Sequence, residues 1–111
     1  MNYPTKTNYQ RSETRVNLAL PAQIRIGSQL SLQGRLKDLS LKSAFIAMKP
    51  SAYLQMHEEV GFSIQSSANN VVNFIEGFAR ISRIATGEGL AIYFTRMDNN
   101  STLRLKELLA R

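Results

Sequence analysis

Cysteine is absent from this chain, and histidine occurs only once, at His57. Disulfides, thiolate nucleophiles and zinc sites built from Cys and His are therefore excluded. His57 stands beside Glu58 and Glu59, but side chains on adjacent positions do not converge on one ion, so it reads as the end of a surface helix or loop. We expect neither a metal nor a cofactor. No histidine is paired with a serine and no glycine-rich phosphate loop is present, so the inventory of an enzyme active site is missing. No apolar run approaches the roughly 18 residues of a membrane span. The opening MNYPTKTNYQ lacks the apolar centre of a secretory signal. The expected location is the cytoplasm.

What is present fits one small domain. The 111 residues are 43% hydrophobic, enough for a modest core and too much for wholesale disorder. The net charge is +6, which favours an anionic partner: nucleic acid, a nucleotide, a membrane surface or an acidic protein. The basic groups crowd the first third, where Lys6, Arg11, Arg15, Arg25, Arg35 and Lys37 are accompanied by one acid, Glu13. Charge alone does not choose among these partners.

Hydrophobic spacing supplies the architecture. Residues 1–15 are polar and aperiodic, and read as a flexible N-terminal arm ahead of a folded unit at 16–111. Val16, Leu18, Leu20, Ala22, Ile24 and Ile26 then alternate with polar residues, the pattern of a half-buried strand in which Pro21 marks an edge or bulge. Gly27-Ser28 turns the chain, and Leu30, Leu32 and Leu36 continue the alternation. SAFIAM, the stretch Val60–Phe62–Ile64, a long run from Val71 to about Ile84 and Leu90–Ile92–Phe94 are further strands. Glu76-Gly77 suggests a bulge in the long one, and AYLQMHEE is a helical turn or ordered loop. Phe62, Phe74, Phe78 and Phe94 fall on apolar faces and are assigned to the core. From Ser101, Leu105, Leu108 and Leu109 mark an amphipathic helix capped by Asn99, Asn100 or Ser101. Six short antiparallel strands must protect their edges, and a closed or nearly closed barrel with the helix over one opening does so. The fold class is mainly β.

Two short motifs carry the chemistry. Arg11-Ser-Glu-Thr-Arg15 spaces two guanidinium groups by four residues, so an extended arm projects both to one side. Asp38-Leu-Ser40 follows strand two, and counting by twos from Leu36 puts Asp38 on the apolar face, where an unpaired carboxylate is costly. Neither motif is specific alone. In a hairpin turning at Gly27-Ser28, however, the start of one strand lies beside the end of the next, and the motifs meet.

This combination resembles the PilZ domain family, whose pattern is R-x-x-x-R on an N-terminal arm followed by D/N-x-S-x-x-G between the second and third strands. RSETR matches the first in full. DLSLKS matches the second at Asp38 and Ser40 and places Ser43 where the family has glycine. The strand spacing, EGLAIYF and the leucine-rich terminal helix look like the family as well. Gly89 resembles its glycine before the last strand, for which turn geometry is sufficient reason. The resemblance implies a six-stranded antiparallel PilZ-type barrel that binds cyclic di-GMP as an effector of second-messenger signalling.

In that reading Arg11 and Arg15 grip phosphate and the O6/N7 edge of guanine. Asp38 accepts from the opposite edge and pairs with the arginines when the site is empty. Ser40 offers a hydroxyl to phosphate or base. Ser43 weakens binding by about 1 kcal/mol if the position needs a left-handed backbone. Arg80 and Arg83 are either auxiliary to this site or simply solvent-facing. The bound ligand would order residues 1–15 against the barrel and create a surface for a downstream protein in motility, adhesion or exopolysaccharide control. Two other functions compete with this one: a PilZ-like adaptor that binds no dinucleotide, and a basic barrel binding single-stranded nucleic acid. The second needs exposed aromatic platforms, which the core assignment of the phenylalanines denies.

Overall fold

The computed structural model describes residues 15–28, 30–50, 54–68 and 70–110. Six antiparallel strands run in chain order: β1 (Pro21–Ile26), β2 (Leu30–Leu39), β3 (Ser43–Ala47), β4 (Glu59–Ala68), β5 (Val71–Ala85) and β6 (Gly89–Met97). They close into a barrel in the order β1-β2-β3-β6-β5-β4. Closure pairs β1 with β4 and β3 with β6, so most strand edges find partners. One helix, α1 (Asn99–Leu109), follows β6.

Alternation directs the core. Ile24, Leu36, Ile46, Phe62, Ile64, Ile81, Leu90 and Ile92 are almost fully buried, and each such side chain contributes about 1.5–3 kcal/mol of burial. Phe62 stacks on Phe94 with ring centroids 4.8 Å apart. Leu105 and Leu108 of α1 join the same cluster. The helix begins at the cap Asp98, whose carboxylate accepts from Ser101 N at 2.7 Å; the cap thus precedes the three residues expected for it. Ser101 is buried instead, and its hydroxyl accepts from Glu76 N at 3.1 Å.

Three strands depart from simple alternation. Between Leu36 and Asp38 the β2–β3 register shifts, leaving Lys37 as an extra residue. Leu36 and Leu39 therefore both point inward, and Asp38 comes to the outer wall beside Phe45. The core-facing placement of Asp38 is corrected by this bulge. In β5 no shift occurs at Glu76-Gly77; the β5–β6 register shifts instead between Phe78 and Ala79, where Thr95 of β6 is the extra residue, and between Ile81 and Arg83, where Ser82 of β5 is. Odd positions Ile75, Ala79 and Ile81 face the core, which leaves Phe74 at 42% and Phe78 at 41% exposed rather than buried. Pro21 opens β1, where its missing N–H is harmless, and Val16 makes an isolated bridge to Leu39 ahead of it. The 54–58 stretch is an ordered loop, tied by His57 N to Ile81 O at 2.8 Å. Gly89 is a close-packing glycine rather than a turn glycine: it starts β6, and a Cβ there would overlap the Ile46 carbonyl.

Candidate functional site

The bridge between Val16 and Leu39 creates the site. Val16 N donates to Leu39 O at 2.9 Å and Leu39 N returns to Val16 O at 3.0 Å. Farther along, Arg35 Nη1 holds Ala19 O at 3.1 Å and Leu36 N holds Leu20 O at 2.7 Å. The segment before β1 is thus laced along the end of β2, and Arg15 arrives at the β2–β3 turn.

There its guanidinium forks. Nη1 donates to Asp38 Oδ1 at 2.9 Å, and Nη2 donates to Ser43 Oγ at 3.0 Å. The bulge makes this possible by bringing the carboxylate outward. Arg15 and Asp38 are the partners expected in an unliganded site, and hairpin geometry is the reason they meet. Their side chains are 51% and 30% exposed, so the pair contributes only about 0.2–1 kcal/mol. Arg11 lies outside the described residues.

Ser40 is placed differently from its expected role as a direct contact. It is completely buried. Its Oγ accepts from Ser43 N at 3.2 Å and Lys42 N at 3.4 Å, and lies 3.0 Å from Ser43 Oγ. The backbone closes the same turn through Ser40 N to Ser43 O at 2.8 Å. Ser40 therefore shapes the loop that carries Ser43. Ser43 itself begins β3, and the only non-glycine residues with positive φ among those described are His57 and Asn70. The serine in this position carries no left-handed strain.

The outer wall beside the fork is cationic and aromatic. Phe45, paired with Asp38, has Lys37 Nζ at 5.9 Å and Arg83 Cζ at 5.6 Å from its ring centroid. Tyr93, paired with Ser43, is 49% exposed. Arg80 is turned to the His57 carbonyl at 2.9 Å. Arg83 thus borders this wall, whereas Arg80 is engaged by a loop. Lys37, Phe45 and Tyr93 were not singled out from sequence. The alternation of EGLAIYF carried the signal for Tyr93, since it stands between the inward Ile92 and Phe94. No cluster of three or more metal-ligating side chains occurs among the described residues. No helix of the described residues is long and apolar enough to cross a membrane.

Comparison with known proteins gives this arrangement a setting. The family model described as PilZ domain matches residues 9–111. Among solved structures, the fold is similar to the inhibitor of motility MotI/DgrA from Bacillus subtilis, with a TM-score of 0.78 at 15% identity. That match covers 92% of this chain but 50% of the other, so the chain spans about half that relative's length. It is also similar to the PilZ domain with c-di-GMP of YcgR from Escherichia coli, at TM-score 0.67 and 18% identity over 91% and 89% of the two chains. The PilZ domain of CeSA from a cellulose-synthesizing bacterium aligns at TM-score 0.63 and 20% identity, over 86% and 94%. No curated protein sequence matches the chain.

Proposed function

The chain belongs to the PilZ domain family, and from that premise we propose that it is a cyclic di-GMP receptor whose ligand lodges on the Arg15–Asp38–Ser43 rim. The observation that carries the reading is the fork itself, with Arg15 held 2.9 Å from Asp38 and 3.0 Å from Ser43. It supports the reading because a bidentate cation and a carboxylate at one place complement the two edges of guanine. The YcgR neighbour, whose PilZ domain is described with c-di-GMP, lends further support.

The exposed ion pair is easily exchanged. Separating it costs about 0.2–1 kcal/mol, whereas each charge-assisted bond to ligand returns about 1.5–3 kcal/mol. Arg11 adds a second cation when the arm closes over the dinucleotide. Fixing the backbone of the arm costs about 1–2 kcal/mol per residue, so the ligand bonds carry only the few residues next to Arg15, and arm closure there is the switch. The new surface then regulates a cytoplasmic partner in motility, adhesion or exopolysaccharide control. Motility has the support of the inhibitor of motility among the neighbours. Ser40 acts by holding the turn.

Calorimetry with cyclic di-GMP tests the assignment. Arg15→Ala and Asp38→Ala should each weaken binding at least tenfold, about 1.4 kcal/mol, while leaving the thermal unfolding midpoint nearly unchanged. Undiminished affinity in either variant removes that residue from the site. A second reading, an adaptor that binds no dinucleotide, draws on the Ser43 hydroxyl already occupying Arg15. Absence of heat at protein concentrations of about 100 μM would favour it.

A further inference from the structure

A second built feature lies elsewhere on the barrel wall. Register places Arg25 of β1 against Gly61 of β4, Gly61 against Phe78 of β5, and Phe78 against Arg96 of β6. These four residues form one continuous rung across four strands, and none of them belongs to the rim around Arg15. Gly61 leaves bare backbone in the middle of the rung. The Arg25 guanidinium lies over that gap, so closely that a Cβ at Gly61 would stand 2.8 Å from Nη2. From the other side Arg96 stacks on Phe78, with Cζ 4.4 Å from the ring centroid. Between them runs an open groove of about 410 Å³, with Met97 also in its lining.

Charge in this groove is unevenly satisfied. Asp98 is engaged in capping α1, and Glu59 lies 3.6 Å from Arg96. Arg25 is half-buried, yet no hydrogen bond or ion pair to it is found among the described residues. A partly desolvated guanidinium without an acceptor is the group that gains most from a carboxylate. Next to it stands a large ring, 41% exposed, of the kind that is enriched at protein interfaces. Glu76, Asp98 and Glu59 stand around the same groove, so a continuous phosphate backbone would meet three carboxylates. That disfavours nucleic acid and favours a partner with separated charges.

We propose that the Arg25–Gly61–Phe78–Arg96 rung is a docking groove for an acidic protein segment. The segment places a carboxylate on Arg25 and the neighbouring aromatic side chain on Phe78 and Met97. The groove is independent of the dinucleotide site and offers a way for a downstream protein to hold the barrel without competing for the rim.

A fluorescently labelled glycine-serine peptide carrying a single Glu-Tyr pair is a direct probe of this chemistry when titrated into the full chain. Saturable binding is expected, weakened about tenfold by Arg25→Ala and about fivefold by Phe78→Ala. Gly61→Ala should weaken it as well, because the added Cβ displaces the guanidinium. Arg35→Ala removes the same charge away from the groove and should alter binding less than about twofold. Cyclic di-GMP affinity measured in parallel should not change in Arg25→Ala, which separates this groove from the rim. Equal losses in Arg25→Ala and Arg35→Ala would overturn the proposal by showing general charge attraction. Failure of the peptide to bind would overturn it too, as would competition by an oligothymidylate that is lost in Arg25→Ala.

Discussion

Ser40 and Ser43 share a turn but have opposite duties. Ser43 holds a guanidinium nitrogen that a ligand would otherwise use, and its backbone is ordinary. Ser43→Gly should therefore tighten cyclic di-GMP binding by about two- to tenfold, the worth of one hydrogen bond of about 0.5–1.5 kcal/mol. The same change should lower unfolding stability by about 0.5–1 kcal/mol, since glycine is entropically costly in a strand. Calorimetry and thermal melts on one sample read both effects; weaker binding would mean that the hydroxyl serves the ligand. Ser40→Ala acts on the fold instead. It deletes a buried acceptor for two backbone N–H groups, and should cost about 1–3 kcal/mol in urea unfolding. Both serines were legible as motif positions. Which one is buried was not, because burial follows from the turn closing on itself, a contact between residues three apart that strand periodicity does not encode.

The strands and the helix owe their less predictable features to single residues. Counting by twos failed for Asp38 because Lys37 is inserted into β2, and a bulge changes face without changing composition. The same insertion is what delivers the carboxylate to Arg15, so the error and the site have one cause. The helix was legible from Leu105 and Leu108, while its cap lay outside the residues considered. Asp98→Ala should destabilise the chain by about 1 kcal/mol and Asp98→Asn by only a few tenths, measured as shifts in the urea midpoint. Equal effects would assign the stabilisation to charge near the helix dipole rather than to the bond with Ser101 N. Gly77 and Gly89 were read as bulge and turn residues, but each faces a backbone carbonyl across the sheet, that of Arg96 and of Ile46 respectively. Alanine at either requires the strands to separate there, which sequence spacing gives no means of foreseeing.

Closure of the whole barrel followed from the number of strands and the need to cover their edges. The orientation of β5 did not, because VVNFIEGFARIS carries apolar residues on both parities. Phe74 and Phe78 were assigned to the core as residues of an apolar strand face. The odd positions win because Ile75, Ala79 and Ile81 meet the interior, while the two rings lie outside, Phe78 beside Gly61 and Phe74 beside Gln65 of β4. The same strand predicts how stability is distributed. From Gly77 to Ile81, β5 has β4 or the loop before it on one side and β6 on the other. From Val71 to Glu76 its only strand partner among the described residues is β4, helped by Ser101 at Glu76 N and Arg104 at Phe74 O. Residues 71–73 thus form the end of a two-stranded ribbon with exposed Val71 and Val72, and can open without disturbing the core. Hydrogen exchange should show the amides of residues 78–81 exchanging near the rate of global unfolding. Those of residues 71–73 should exchange at least about a hundredfold faster, a gap of roughly 3 kcal/mol. Uniform protection along the strand would mean instead that the ribbon and the barrel open as one cooperative unit, with the ribbon's exposed face stabilised by something beyond its single strand partner.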